Sequence, residues 1–230
     1  NEKTAKFLFW QITQGIKYMH NNGVVHRDIK LENILIDLNN NVKICDFGIG
    51  KAVTPYKTAK TIHILHDQCG TPMYIAPEIL LCTKEHGYNA FPVDMWSAGI
   101  ALYIMLSGTL PFALDKNLNK GSHNAELQYA IINNSPKPIE YISEEAQDLL
   151  YGLLDKNPKT RYTADDVLKH SWFHNENFNS NPDKYHLFTK AELIMLIRKA
   201  NFNDLAIILK IYQDARQFMS ENGNPNQWGK

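Results

Sequence analysis

The chain has 230 residues, 44% hydrophobic and 21% charged, with 24 Lys plus Arg balanced by 24 Asp plus Glu. That composition is globular and the length suits one core with a small appendage; it excludes collagen-like and disordered classes, and the zero net charge excludes a global field aimed at nucleic acid or an anionic membrane. The cysteines Cys45, Cys69 and Cys82 form no C-x-x-C pair, which argues against a zinc site or disulfide framework and for a reducing, intracellular and cytoplasmic setting. No apolar run is expected to reach a membrane span, and the start Asn1-Glu2-Lys3 has neither a signal pattern nor an initiator methionine, which reads as a fragment.

Along the chain, Phe9, Ile12, Ile16 and Met19 recur at helical spacing, predicting a helix over Thr4 to His20 that stops at Asn21-Asn22-Gly23. Val24 to His26, Ile34 to Asp37 and Asn41 to Cys45 are short β-prone pieces, and they predict a small hairpin rather than a sheet. Gly48 to Thr71 lacks periodicity and reads as a long surface loop. Val93 to Ser107 is almost wholly apolar, as a helix buried on most sides would be.

Ser143 caps a helix that carries Ala146, Leu149, Leu150, Leu153 and Leu154 on one face, and Thr163 caps another that ends near Trp172-Phe173. A polar stretch from Asn175 to Asp183 follows. Two terminal helices are expected beyond it, one around Leu193 to Ala200 after the capping-box sequence Thr189-Lys190-Ala191-Glu192, the other over Leu205 to Met219. The expected organisation is therefore a body over 1–173 and a linker with a helical extension over 174–230.

Two loops concentrate the chemistry. His26-Arg27-Asp28-Ile29-Lys30-Leu31-Glu32-Asn33 has the form H-R-D-x-K-x-x-N, and Asp46-Phe47-Gly48 follows a short distance on. Further along stand Gly70-Thr71-Pro72-Met73-Tyr74-Ile75-Ala76-Pro77-Glu78, Asp94-Met95-Trp96-Ser97-Ala98-Gly99 and Arg161, with His170-Ser171-Trp172-Phe173 closing the series. In this order, from about Lys3 to Phe173, the motifs resemble the eukaryotic protein kinase family in its serine/threonine form. The stretch from Gly87 to Phe112 is most similar to the calcium/calmodulin-dependent group.

The resemblance implies a mainly α fold: the C-terminal lobe of a kinase, with a small β-hairpin near the catalytic loop and the N-terminal lobe absent, since nothing here looks like the glycine-rich phosphate loop or the strand lysine. It implies transfer of the ATP γ-phosphate to Ser/Thr hydroxyls, with the isolated fragment expected to be inactive; a non-catalytic scaffold or pseudokinase that docks partners is the alternative. It assigns Asp28 to orient the acceptor hydroxyl and Lys30 to stabilise the transferred group, with Asn33 and Asp46 on Mg²⁺. Thr71 docks substrate beside Asp28 and Lys30, Asp94 supports the catalytic-loop backbone, and Arg161 pairs Glu78.

In many related kinases a phosphorylatable threonine stands where Asp67 stands here, counted back from Cys69, so Asp67 is expected to replace a regulatory phosphate opposite Arg27. Thr58 and Thr61 are the alternative phosphosites. Expected partners are a protein substrate and the missing lobe, with calmodulin on the terminal helices as the weaker alternative to their packing on the body.

Taken alone each residue also has a plain structural reading. An isolated Asp-Phe-Gly is ordinary turn chemistry, and Cys45 reads as a small buried apolar residue. The scattered histidines, among them His63, His66, His86, His123 and His174, show no metal-ligand spacing, and His26 reads as loop support rather than as a base.

Overall fold

The computed structural model describes residues 1–37, 40–54, 64–112, 123–174 and 178. The terminal helices expected at 193–200 and 205–219, the calmodulin alternative, Thr58 and Thr61 all lie outside the described residues.

Helix α1 spans Glu2–Asn21; the Asn1 side chain caps it by accepting from Thr4 N, and Gly23 turns the chain out at φ 71°. Strands β1 (Val24–Val25), β2 (Ile34–Ile36), β3 (Val42–Ile44), β4 (Lys51–Ala52) and β5 (Ile64–Leu65) follow, then helix α2 (Pro77–Leu80) and strand β6 (Tyr88–Asn89). Helices α3 (Ala90–Ser107), α4 (His123–Asn133), α5 (Glu144–Leu153) and α6 (Ala164–Leu168) complete the body.

The six strands of the described residues pair as three antiparallel two-stranded ribbons: β1 with β4, β2 with β3 in the register Ile34↔Ile44, and β5 with β6. This corrects the expectation of a single small hairpin in a mainly α fold. Only β2 and β3 are near neighbours in sequence. The other ribbons join pieces of two residues from distant parts of the chain, too short for alternation to mark them. Two of these pieces, β4 and β5, lie inside the stretch expected to be loop.

Helix α3 is the axis of the body. Asn89 caps it by accepting from Phe91 N, Pro92 lies in its first turn where no intrahelical donor is lost, and Gly108 ends it at φ 72°. It packs against α1 on one side and α5 on another. At the crossing with α5, a Cβ on Gly99 would stand 2.8 Å from Leu153 Cβ, so glycine permits the approach. By length and composition α3 is apolar enough to cross a bilayer, which corrects the expectation that no run reaches a span. Its side chains instead form the core, with Trp96, Ile100 and Leu102 fully buried beside Phe9, Ile12, Ile16 and Leu149.

The ends of the body are tied together by Glu2. Its carboxylate accepts from Ser143 N at 2.9 Å, Ser143 Oγ at 2.6 Å and Trp172 Nε1 at 2.8 Å, joining the start of α1 to the cap of α5 and to the turn at Ser171–Phe173. Burial pushes this carboxyl up, but the hydrogen bonds from Ser143 and Trp172 outweigh it and hold the group below its ordinary value.

Candidate active site

The site is built around a buried carboxylate. Asp94, fully buried on α3, accepts from His26 N at 2.9 Å, Arg27 N at 2.7 Å and His20 Nε2 at 2.9 Å. Arg27 is held at φ 65°, a left-handed conformation that costs a non-glycine residue about 1 kcal/mol or more, and the two amides fixed by Asp94 are those that define this bend. The bend turns the next residue, Asp28, out of the core.

His26 joins the two loops. Asp28 N donates to its Nδ1 at 3.2 Å, which leaves Nε2 to donate to Cys45 O at 2.9 Å, directly before Asp46. Both ring nitrogens are thus occupied by the backbone. The Phe47 ring lies 4.7 Å from the imidazole, and Asp46 itself takes φ 62°.

Around Asp28 four polar groups converge. Lys30 Nζ donates to Oδ2 at 2.7 Å, Asn33 Nδ2 to Oδ2 at 3.2 Å and to the Asp28 carbonyl at 2.9 Å, and Thr71 donates to Oδ1 through its hydroxyl at 2.7 Å and its amide at 3.2 Å. Lys30 also donates to Thr71 Oγ1 at 2.9 Å, closing a triangle of carboxylate, ammonium and hydroxyl. Burial pushes the Asp28 carboxyl up, yet the bonds from Lys30 and Thr71, the Lys30 charge and Asn33 outweigh it, so the group lies below its ordinary value. The same bond to Asp28 raises Lys30, which stays a cation.

Asp46 is exposed, with Oδ1 accepting from Gly48 N at 3.2 Å. The amide nitrogen of Asn33 is spent on Asp28, so Oδ1 is its oxygen left for a ligand. The pair offers hard oxygen donors, the set that suits a small divalent cation completed by phosphate oxygens and water.

Farther out, the Arg27 guanidinium donates to Ile49 O at 2.8 Å and meets Asp67 Oδ2 at 2.5 Å, while Lys51 Nζ stands 3.8 Å from the other carboxylate oxygen. Tyr88 of β6 donates its hydroxyl to Asp67 O at 2.8 Å. Beyond the loop that carries Thr71, Arg161 grips Glu78 with both terminal nitrogens, at 2.6 and 2.9 Å, and also donates to Pro92 O and Asp155 O at 2.9 Å. Its side chain is wholly buried and its guanidinium lies 5.0 Å from the Trp96 ring centre.

Apart from Thr58 and Thr61, the site residues named from the sequence lie within the described structure, in one connected network for Asp28, Lys30, Asn33, Thr71, Arg27 and Asp94, with Asp46 reached through His26. The sequence reading missed His20, Lys51 and Tyr88. His20 ends a helix and Tyr88 opens a two-residue strand; neither position has a spacing rule linking it to Asp94 or Asp67.

The sequence profile described as "Protein kinase domain" matches residues 1–173. The chain belongs to the protein kinase family. Among its relatives are a probable serine/threonine-protein kinase, fhkE, of Dictyostelium discoideum, 39% identical over 179 residues that cover 75% of this chain and 24% of the relative. The CBL-interacting serine/threonine-protein kinase 17 of Arabidopsis thaliana is 38% identical over 183 residues, 80% of this chain and 39% of that protein. The serine/threonine-protein kinase dkf-2 of Caenorhabditis briggsae is 37% identical over 178 residues, 76% and 14% respectively. The chain thus spans well under half the length of the relatives it matches.

These findings correct the lobe assignment. The profile that fits is that of the protein kinase domain, not of a helical lobe, and β1 to β6 all lie inside the matched span. The description of the chain as a C-terminal lobe alone, with the strand-bearing N-terminal lobe as a missing partner, is withdrawn. It rested on motifs not seen and on strands too short to register as a pattern. The comparisons carry the family and no finer group. Membership implies use of ATP and Mg²⁺ in general.

Proposed function

We propose that this protein transfers the γ-phosphoryl group of ATP to serine and threonine hydroxyls of protein substrates, with Asp28 and Lys30 at the point of transfer. The observation that carries the proposal is the Thr71 hydroxyl, which donates to Asp28 Oδ1 at 2.7 Å while accepting from Lys30 at 2.9 Å. A threonine hydroxyl already sits on the carboxylate with an ammonium beside it. A substrate hydroxyl on the same carboxylate would have its lone pair turned away from Asp28, as in-line attack requires.

The low proton affinity of Asp28 fits a transition state with little bond formation to the nucleophile. The carboxylate orients the hydroxyl and accepts its proton late, as the oxygen loses basicity by bonding to phosphorus. Lys30 then has a second task, to offset negative charge on the moving phosphoryl oxygens.

Asn33 Oδ1 and Asp46 would hold Mg²⁺, which when bound neutralises phosphate charge. His26, with both nitrogens committed to the backbone, keeps the Asp28 and Asp46 loops at a fixed separation. The test is transfer of labelled phosphate from Mg·ATP to matched peptides carrying Ser, Thr or Tyr. Incorporation into Ser and Thr peptides supports the proposal; incorporation into Tyr alone, or into none, refutes it.

A further inference from the structure

The chain from Leu65 to Thr71 is fastened to the segment that leads into α3. β5 pairs with β6 through Leu65↔Tyr88, and a Cβ on Gly87 would stand 2.3 Å from Leu65 O, so glycine admits the approach of the two backbones. His66 Nδ1 lies 3.2 Å from Thr83 O, Gln68 Nε2 donates to Cys82 O at 3.1 Å, and the Tyr88 hydroxyl donates to Asp67 O at 2.8 Å.

Tyr88 differs from the other two anchors. The His66 and Gln68 side chains belong to exposed residues, whereas Tyr88 is 3% exposed and packs in the core with Leu65, Tyr74 and Phe91. A bond from a donor held in the core meets less competition from water. Burial also pushes the Tyr88 hydroxyl well above its ordinary value, so it remains a donor at any working pH.

The bond bears on the site through the chain. Gly70 takes φ 117°, and a Cβ there would stand 3.1 Å from Arg27 O, so the backbone after Asp67 runs against the bend at Arg27. Thr71 follows directly and donates to Asp28 through both its amide and its hydroxyl. Residue 67 is thus held twice, by its carboxylate on Arg27 and by its carbonyl on Tyr88. Only the first bond depends on the charge of the side chain.

We propose that Tyr88 is a positioning residue for phosphoryl transfer: by holding the Asp67 carbonyl it sets the path of the backbone that brings Thr71 onto Asp28. The proposal rests on the transfer reading given above. Tyr88 acts through the chain from Gln68 to Gly70, and not on Asn33 or Asp46, the residues that would hold Mg²⁺.

The test is Tyr88→Phe in the intact protein, which keeps the buried ring and removes the donor. Exchange of the amides from Gln68 to Thr71 should speed up about 3- to 10-fold, the effect of one lost hydrogen bond, with α3 amides unchanged. In transfer from Mg·ATP to a Ser peptide, kcat should fall by a similar factor with KM for ATP unchanged and the melting temperature close to the parent's. Unchanged exchange overturns the proposal. So does faster exchange with the parent's kcat, or a loss of activity that only follows a lowered melting temperature. A parent that transfers no phosphate refutes the transfer reading instead, an outcome that the exchange data keep apart from failure of the Tyr88 bond.

Discussion

Replacing Asp67 by alanine isolates the contribution of one ion pair to the order of the loop from Asp67 to Thr71. An exposed pair contributes about 0.2–1 kcal/mol, and stripping one partner from a fully buried pair costs about 3–5 kcal/mol. Here the Arg27 side chain is 6% exposed and that of Asp67 48%, so one partner is buried and the other half in water. The expected loss lies between, about 1.5 kcal/mol, or about a tenfold rise in local opening. The guanidinium keeps Ile49 O but loses its only carboxylate among the described residues.

Hydrogen exchange of the amides from Asp67 to Gly70 should accelerate by about that factor in Asp67→Ala, while α3 amides are unchanged. The bond from Arg27 holds the Asp67 carboxyl below its ordinary value. Its contribution is therefore complete above about pH 4, the unfolded value, and fades as pH falls through the lower folded one. The difference between parent and variant should be constant from pH 6 to 8 and shrink in acid. Unchanged exchange at neutral pH would refute the argument, as would an acceleration that extends to α3. A phosphothreonine at this position carries about −1.5 to −2 charge and should restore protection in Asp67→Thr after phosphorylation.

Other perturbations test other links. Glu78→Gln leaves the wholly buried Arg161 without a counter-ion and should lower unfolding free energy by about 3–5 kcal/mol in urea; an unaltered midpoint would sink the role given to that pair. Glu2→Gln should cost about 1–3 kcal/mol at pH 7. Because the folded Glu2 carboxyl lies below its unfolded value, its contribution is present above that value and lost as pH falls through the folded one, so the variant should show a shallower acid limb in thermal melts. A variant with the parent's acid limb would contradict this. Gly99→Ala, with no room against Leu153, should lower stability by about 1–3 kcal/mol, and a neutral result would mean that α3 and α5 part easily.

The side chains proposed to act in transfer were legible by resemblance to a short motif. Asp28, Lys30 and Asn33 lie within one short loop, where the distances between them follow from the chain itself. Asp94, which aims this loop, was legible by resemblance too, but its partners are not local: the amides of His26 and Arg27 reach it across 68 and 67 residues. His20 illustrates the limit: its bond to Asp94 depends on where α1 ends relative to α3, which no local pattern encodes. The ribbons failed for a related reason. A pairing such as Leu65↔Tyr88 involves two residues on each side, and its stability comes from the buried Tyr88 and Leu65 packing against the α3 side of the core rather than from strand propensity.

The central claim is that Asp28 orients the acceptor hydroxyl for phosphoryl transfer. Asp28→Asn keeps the side-chain shape and an acceptor for Lys30 while removing the charge, so transfer from Mg·ATP to a Ser peptide should fall by about 10²–10⁴-fold with the melting temperature little changed. Transfer at the parent's rate by a folded Asp28→Asn protein would contradict the account.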